Sequence, residues 1–432
     1  MLKTLIDTFK INLKLLSYEC LRLLPKASRK KIAKEALILA PRLPPYVTGG
    51  IYRPMSWAKY AKDNGWTVTF ITKPLNRRVQ INETSAHLER QLQGTCKLFR
   101  LKESPQLEPS FKITPRVDGS IEHAINAVAQ GLDVYNKCKP DIIVATGPSF
   151  DYFIAAFYLS KLLKVPFVID YRDEWTENPF DFVKLGNADI YWEKRIFASA
   201  NHIVLTTELM LQAHAEKFHR TYNLSVIKNG WEPSEHIHVE KTQSSRQVEL
   251  MFIGNMGLHS PPFEFLNDLQ LALCDRNDLE VKITFVGKIS DNIRQKLEAY
   301  SDSILIDIEG FVPRNKANEK MAMATALLLF TPKPMERYIP GKMFDYAASG
   351  TPVIVHGVKG STSEAVLDSK SGFFVEGGDT TELRNVLIKL KMGQINDCLD
   401  SEKRKEWLQQ HSREKLAEDF YHLLDKVAEK HQ

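Results

Sequence analysis

Residues 336–355, with the sequence ERYIPGKMFDYAASGTPVIV, constrain the fold of this chain most strongly. Pro340 and Gly341 are typical of the start of a helix, an apolar side follows, and Gly350 is typical of the helix end. Residues 352–355 then have the composition of a buried parallel strand. A loop, a helix and a buried strand in succession form the repeating unit of a parallel α/β sheet, so the sequence predicts that class of fold.

The start of this helix is also a candidate phosphate site. Free N–H groups and the helix dipole both favour an anion at a helix N-terminus. Lys342 and Asp345 lie three positions apart and therefore on one face of the helix. A lysine suits a phosphate and a carboxylate suits sugar hydroxyls, although an ordinary helix with a surface ion pair fits the same spacing.

Length and composition bound the remaining possibilities. A chain of 432 residues exceeds what one hydrophobic core usually supports, so two domains are expected. A hydrophobic content of 43% and a charged content of 26% are typical of soluble globular proteins. Five scattered cysteines without CxxC spacing favour the cytoplasm and predict neither a disulfide framework nor a metal site.

Positive charge is concentrated at the beginning of the chain. Residues 1–34 hold nine lysines and arginines against Asp7 and Glu19, a net charge of +7, whereas the whole chain carries +5. The remaining residues therefore carry a net charge of −2. A nearly neutral body disfavours a nucleic-acid partner, because proteins that bind nucleic acids present a basic surface.

The same 34 residues have the spacing of an amphipathic helix. Apolar residues recur at steps of four and three, namely Leu2, Ile6, Phe9, Leu13, Leu16, Cys20 and Leu23. No run is long enough to span a membrane. A basic amphipathic helix can lie on an anionic bilayer, here the inner face of the plasma membrane, or it can pack against protein. The periodicity does not distinguish these alternatives.

From residue 35 onwards, strands and helices alternate, pause in the polar stretch 240–247, and then alternate again. The sequence predicts strands over residues 36–40, 68–71, 97–101, 141–145, 165–170, 202–205, 225–227, 248–253, 281–286, 304–308, 326–330, 353–355 and 372–375. The rest of 73–118 reads as irregular, with a polar loop around 104–115. We expect two Rossmann-like domains facing each other across a cleft, at 35–240 and 241–405, and a last helix at 406–432 that returns to the first domain.

Glycines and charges follow several of these strands. Gly49 and Gly50 precede a helix and would let backbone approach a ligand closely. The segment YRDEW at 171–175 begins where a strand ends, at the edge where open α/β sheets bind ligands. Its charges, together with Asp170, indicate either a functional site or an internal ion-pair network.

Taken in order, these pieces resemble a known family. They are PP-x3-GG-x2-R at 44–53, DYRDEW at 170–175, NG at 229–230, FIGNMG at 252–257, GFVP at 310–313 and IPGKMFDYAASGTPVIV at 339–355. This order and spacing resembles the retaining nucleotide-sugar glycosyltransferases of family 4, which have the GT-B fold. The resemblance covers about residues 35–425.

The resemblance implies roles for individual residues in the second domain. Asp345 would hold the ribose hydroxyls of the donor nucleotide, and Lys342 would lie near its diphosphate. Four further groups would complete the donor site: Gly254, Asn255 and Gly257 lining it, Lys288 adding charge, Phe311 and Val312 cradling the base, and Glu336 and Thr362 near the donor sugar.

In the first domain, the resemblance implies that Gly49 and Gly50 meet the phosphates and that Asp173 faces the acceptor and the donor sugar. The candidate catalytic residues are therefore Asp173, Lys342 and Glu336. No metal or cofactor is implied besides the nucleotide-diphosphate sugar, which is a co-substrate.

Two features depart from the usual family pattern. Paired glutamates normally lie eight positions apart, but the position eight before Asp345 is Arg337, and Glu336 is one residue off. The usual arginine and lysine after the glycine turn are replaced by the sequence Met256-Gly257-Leu258-His259, so Lys288 would supply the charge. The segment resembles a subgroup with the pattern P-x-K-x-[FY]-[ED]-Y.

The implied function is sugar transfer with retention from a nucleotide-diphosphate sugar to a glycan or lipid-linked acceptor, in bacterial surface polysaccharide synthesis. Two alternatives stay open at this point. One is a nucleotide-sugar epimerase of the same fold, and the other is a non-catalytic subunit that has kept the fold.

Overall fold

A computed structural model describes residues 13–14, 16–18, 34–75, 83–102, 117–235, 247–276, 278–300, 304–395 and 399–431. The chain forms two compact units. The first contains residues 1–206, 210–227 and 417–432, and the second contains residues 207–209 and 228–416. Each unit is built on a single parallel sheet.

The sheet of the first unit has seven parallel strands in the order β3-β2-β1-β4-β5-β6-β7. Its strands are β1 (Lys34–Leu39), β2 (Trp66–Thr72), β3 (Lys97–Arg100), β4 (Ile142–Gly147), β5 (Phe167–Tyr171), β6 (His202–Leu205) and β7 (Leu224–Val226). The central strands are apolar and buried on both faces because helices cover a parallel sheet on both sides.

The helices of this unit are α1 (Tyr52–Tyr60), α2 (Glu83–Leu92), α3 (Ile121–Cys138), α4 (Asp151–Leu163), α5 (Asn187–Ser199) and α6 (Glu208–Phe218), whose first two residues belong to the second unit. Helix α4 is apolar almost all round, and eleven of its thirteen residues are buried. Such a helix lies in the interior of its domain. It therefore fixes the loop at the end of β4, which immediately precedes it.

The sheet of the second unit has six parallel strands in the order β10-β9-β8-β11-β12-β13. These are β8 (Val248–Ile253), β9 (Val281–Val286), β10 (Leu305–Glu309), β11 (Ala326–Thr331), β12 (Val353–Gly357) and β13 (Gly372–Glu376). The helices are α7 (Phe263–Leu273), α8 (Asp291–Leu297), α9 (Arg314–Met323), α10 (Lys342–Ser349), α11 (Ser361–Asp368), α12 (Thr380–Met392), α13 (Ser401–Gln410) and α14 (Arg413–Glu429), which continues into the first unit.

Two hydrophobic clusters cover the two faces of this second sheet. Successive residues of β8 alternate between them: Leu250 and Phe252 belong to one cluster and Met251 to the other. Helix α10 contributes Met343 and Phe344 to the second cluster, and both are fully buried. This packing holds the start of α10 at the carboxyl edge of the sheet.

The prediction of two Rossmann-like α/β domains is confirmed, and most predicted strands lie within two residues of the observed ones. The expectation of irregular structure around 73–118 was wrong at α2, which is helical over Glu83–Leu92. Only Ser85, Leu88 and Leu92 of this helix are buried, so its apolar stripe was too sparse to recognise. The predicted loop at 104–115 lies outside the described residues, as does the predicted linker apart from Gln247.

The predicted amphipathic helix of residues 1–34 lies mostly outside the described residues. Residues 13–14 and 16–18 are helical. Tyr18 is buried and packs on Tyr158 with ring centroids 5.9 Å apart, whereas Leu13 and Leu16 are 55% and 61% exposed.

Candidate active site

Glycine turns end three neighbouring strands of the second unit. Gly254 follows β8, Gly287 follows β9 and Gly310 follows β10. The N–H of Gly254 donates to Val286 O at 2.8 Å, and that of Gly287 donates to Gly310 O at 3.2 Å. Gly287 has a φ of +126°, and a Cβ there would overlap Gly254 O. Backbone atoms therefore line this part of the sheet edge. Only glycine lets the two backbone segments approach each other so closely.

Lys342 is the first residue of α10, and its side chain lies over Gly254. Its Nζ is 3.9 Å from the ring centroid of Phe252. Burial lowers the pKa of Lys342 to about 7. Among the residues that the structure describes, none forms a hydrogen bond or an ion pair with this ammonium group. The lysine predicted to bind phosphate thus lies beside the glycine turn predicted to line the same site.

Tyr346 fixes the position of α10 relative to the glycine turn after β8. Its hydroxyl accepts a hydrogen bond from Ile253 N at 2.7 Å and donates one to Ile253 O at 3.1 Å. Burial raises the pKa of Tyr346, so the hydroxyl stays protonated and keeps both roles. One turn of α10 is thereby tied to the residue that precedes Gly254.

Asp345 forms a bidentate ion pair with Arg314, the first residue of α9. Arg314 Nη2 lies 2.6 Å from Asp345 Oδ1, and Nη1 lies 3.1 Å from Oδ2. Arg314 was not predicted from the sequence, because 31 residues separate it from Asp345 and no spacing rule connects the two helices. A usable signal was its position directly after the GFVP turn at the same sheet edge.

Glu336 lies in the loop before α10, and Thr362 is the second residue of α11, whose start contacts that loop. Glu336 pairs with Lys333 at 2.6 Å, and its carbonyl accepts from Ser361 N at 2.8 Å. The side chain of Thr362 is buried and donates to Tyr338 O at 2.7 Å. Thr362 therefore joins the start of α11 to the loop before α10 by a bond to backbone.

The other predicted donor residues surround the glycine turns. Asn255, Lys288 and Phe311 are exposed, and Gly257 and Val312 are partly buried. Lys288 adjoins the first turn, because its carbonyl accepts from Met256 N at 2.9 Å. The exposed ring of Phe311 and the lysines Lys288 and Lys342 thus lie at the carboxyl edge of the second sheet.

The remaining predicted residues belong to the first unit, where Arg172 organises the glycine loop. The Arg172 guanidinium donates to Gly147 O at 3.0 Å, to Pro148 O at 2.9 Å and to Gly50 O. A Cβ on Gly50 would overlap this guanidinium, whereas one on Gly49 would meet nothing. Arg172 therefore ties the loop after β1 to the loop after β4.

Arg53 and Asp170 form a buried pair beneath this loop. Arg53 Nη2 donates to Asp170 Oδ1 at 2.7 Å, its Nε lies 3.1 Å from both carboxylate oxygens, and Thr146 Oγ1 donates to Oδ2 at 2.7 Å. Asp170 thus belongs to an internal ion-pair network, one of the two readings of the sequence. Asp173 is partly buried beside Arg172. Burial lowers the pKa of Arg172, and the negative charge of Asp173 opposes this shift.

Two kinds of feature are absent from the residues that the structure describes. No group of three or more His, Cys, Asp or Glu side chains is arranged to hold a metal ion. No helix in that part of the chain is long and apolar enough to cross a membrane.

Comparison with known proteins adds a family match and a fold match. Residues 247–391 match the family model described as glycosyl transferases group 1. This segment contains all six strands of the second sheet and the start of α10. No curated protein matches the chain.

Several solved structures share the fold at low sequence identity. Sucrose-phosphate synthase from Thermosynechococcus elongatus has a TM-score of 0.67 at 14% identity, covering 92% of this chain and 100% of that chain. HepE of Anabaena, in complex with UDP and glucose, has a TM-score of 0.65 at 15% identity, with 91% and 100% coverage. The lipopolysaccharide outer core galactosyltransferase WaaB has a TM-score of 0.62 at 11% identity, with 91% and 99% coverage.

These structures share the two-domain GT-B fold across nearly the whole chain, and the family match falls on the unit that holds Lys342 and Asp345. Together, the family match and the fold support a glycosyltransferase with the GT-B fold.

Proposed function

We propose that this protein is a retaining glycosyltransferase that uses a nucleotide-diphosphate sugar as donor and a glycan or lipid-linked acceptor, in bacterial surface polysaccharide synthesis. The observation that carries the proposal is Lys342, a partly buried lysine over a glycine turn at the start of a helix. A cation and a helix N-terminus at one place are what a leaving diphosphate needs.

The reaction breaks the bond between the sugar and the diphosphate, so negative charge develops on the leaving phosphate. In the proposal, Lys342 and the N–H groups that open α10 stabilise that charge. Asp345 binds the ribose hydroxyls, and the exposed ring of Phe311 lies against the base. The proposal requires no cofactor beyond the donor itself.

The remaining residues receive roles by the same argument. Gly254, Asn255, Gly257 and Lys288 line the donor site, and Val312 packs beneath the base. Glu336 and the loop anchored by Thr362 meet the donor sugar. In the first unit, Gly49 and Gly50 approach the phosphates, and Asp173 faces the acceptor.

Structural neighbours support the substrate class. HepE binds UDP and glucose in its solved structure. WaaB is named as a galactosyltransferase of the lipopolysaccharide outer core. A nucleotide-diphosphate donor and a surface-glycan acceptor are therefore the first candidates to test.

A thermal-shift screen tests donor binding directly. A ligand that binds only the folded protein raises its melting temperature, by an amount that grows with ligand concentration. We expect at least one of UDP, GDP and ADP to raise it at millimolar concentration, and the matching nucleotide sugar to do the same. If no nucleotide diphosphate binds, by this assay or by calorimetry, the proposal is wrong.

The pH dependence of donor binding tests the role of Lys342. Its pKa of about 7 means that the free lysine loses its charge as the pH rises through neutrality. We expect diphosphate affinity to fall between about pH 7 and pH 9, by up to about tenfold per pH unit for one linked proton. Arginine stays charged throughout this range, so the Lys342→Arg variant should lose the dependence. An equal slope in both proteins would contradict the assignment.

Membrane contact by residues 1–34 is part of the same proposal. The exposed side chains of Leu13 and Leu16 and the net charge of +7 over residues 1–34 support it. We expect the protein to sediment with vesicles containing anionic lipid and not with neutral vesicles. Leu13→Glu with Leu16→Glu should weaken this binding at least about tenfold, since each buried leucine contributes about 2 kcal/mol. Equal sedimentation of the variant would show that Leu13 and Leu16 do not insert into the bilayer.

A further inference from the structure

The ion pair between Arg314 and Asp345 has a geometry that bears on substrate recognition. Both nitrogens of the guanidinium fork meet both oxygens of the carboxylate, at 2.6 and 3.1 Å. A fork of this kind fixes the plane of the carboxylate as well as its position. A lysine can make no such contact, because its ammonium group is a single point charge.

The ion pair also joins the first turns of two helices, α9 and α10. Arg314 follows the turn after β10, and Asp345 lies in the first turn of α10. Asp345 is 16% exposed and Arg314 is 36% exposed, so the pair is accessible from solvent. A carboxylate can accept about four hydrogen bonds, which is more than the two that Arg314 donates.

Arg314 is itself held by a second carboxylate. Its Nη2 lies 3.6 Å from Glu235 Oε2, and the same oxygen lies 3.5 Å from Arg413 Nη1. The carbonyl of Glu235 accepts from Asn318 Nδ2 at 2.7 Å, which ties it to α9. Arg413, Glu235, Arg314 and Asp345 thus form a continuous chain of alternating charge.

We infer that Arg314 is a positioning residue that orients the Asp345 carboxylate for the two ribose hydroxyls of the donor nucleotide. The inference rests on the proposed function, which gives Asp345 the ribose. Arg314 acts through Asp345, so it controls discrimination between ribonucleotides and 2′-deoxyribonucleotides. Loss of a general structural support would weaken both nucleotide types equally, whereas loss of orientation weakens the ribonucleotide selectively.

The test compares the affinities of two ligands by calorimetry. The probes are the tightest-binding of UDP, GDP and ADP and its 2′-deoxy form. Hydrogen bonds to a charged group contribute enough to give the wild type a preference for the ribose form of about 10-fold or more. Arg314→Lys and Asp345→Asn should each reduce this preference to within about threefold, and the double variant should lose little more, because both act on one contact.

Arg384→Lys is the matched control. Arg384 also pairs with an aspartate in the second unit, Asp275, at 2.6 Å. Arg384 lies on α12, and Asp275 lies just after α7, so neither residue adjoins the glycine turns. The wild-type preference should persist in this variant. Glu235→Gln is a milder change, because it removes only the charge of the second carboxylate beside Arg314. We expect this variant to lose less of the preference for the ribose form.

The outcomes separate the inference from the proposed function. If Arg314→Lys and Glu235→Gln both fold and both keep the full preference for the ribose form, the inference is wrong and the proposed function stands. If the wild type binds no nucleoside diphosphate, the proposed function fails and takes the inference with it. A selective loss of the preference in Arg314→Lys, with Arg384→Lys unchanged, supports both.

Discussion

Replacement of Lys342 by alanine is expected to lower the rate of donor turnover at least about 100-fold, the scale for losing one oriented charge stabiliser. The ammonium group lies over Gly254 and Phe252, and none of the described residues neutralises it. Its charge is therefore available to the leaving diphosphate. The measurement is the release of nucleoside diphosphate from the nucleotide sugar, with and without acceptor.

Two variants separate charge from packing in this experiment. Lys342→Met keeps an apolar stem over Phe252, so its free energy of unfolding should match that of the wild type. The variant should nevertheless lose turnover. Lys389→Ala removes an exposed lysine from α12 of the same unit and should leave the rate unchanged. A Lys342→Met protein with wild-type turnover would refute the role given to this lysine.

Replacement of Asp170 by asparagine is expected to destabilise the protein by about 3–5 kcal/mol. Asp170 is fully buried, and its carboxylate neutralises Arg53, which is 8% exposed. The variant removes the charge of Asp170 from beside a buried guanidinium, which costs far more than losing a surface pair. Chemical unfolding followed by tryptophan fluorescence measures the change in stability. Trp57 is a suitable reporter, because its ring centroid lies 5.4 Å from the guanidinium carbon of Arg53.

Asp275→Asn is the matched control, because it also removes the partner of an arginine. Asp275 is 63% exposed, so its loss should change the stability by no more than about 1 kcal/mol. Equal effects of the two substitutions would show that Arg53 and Asp170 do not support the first unit.

The strands could be predicted from sequence because buried parallel strands are continuous apolar runs. The predicted limits of β6, β8 and β9 coincide with the observed ones. Helix α2 shows the limit of this approach. Only two of its three buried residues, Leu88 and Leu92, are apolar, so its apolar pattern is short and its position depends on the tertiary structure it packs against.

The parts of the candidate site that are formed by backbone could be predicted from the sequence. Glycine turns and the helix start at Lys342 leave a local signal in the sequence. Partners distant in the chain leave none: Arg53 lies 117 residues from Asp170. The direction of a side chain is equally hidden, as Thr362 illustrates, because only the folded loops reveal that its hydroxyl bonds to Tyr338 O.

The most direct test of a retaining glycosyltransferase is the anomeric configuration of the sugar it first releases or transfers. Proton NMR of a nucleotide sugar incubated with the protein, recorded before mutarotation, shows this configuration. We expect a product with the same anomeric configuration as the donor, formed together with nucleoside diphosphate. An inverted anomer would contradict retention, an epimerised nucleotide sugar would identify an epimerase, and an unchanged donor with every acceptor tested would indicate a non-catalytic subunit.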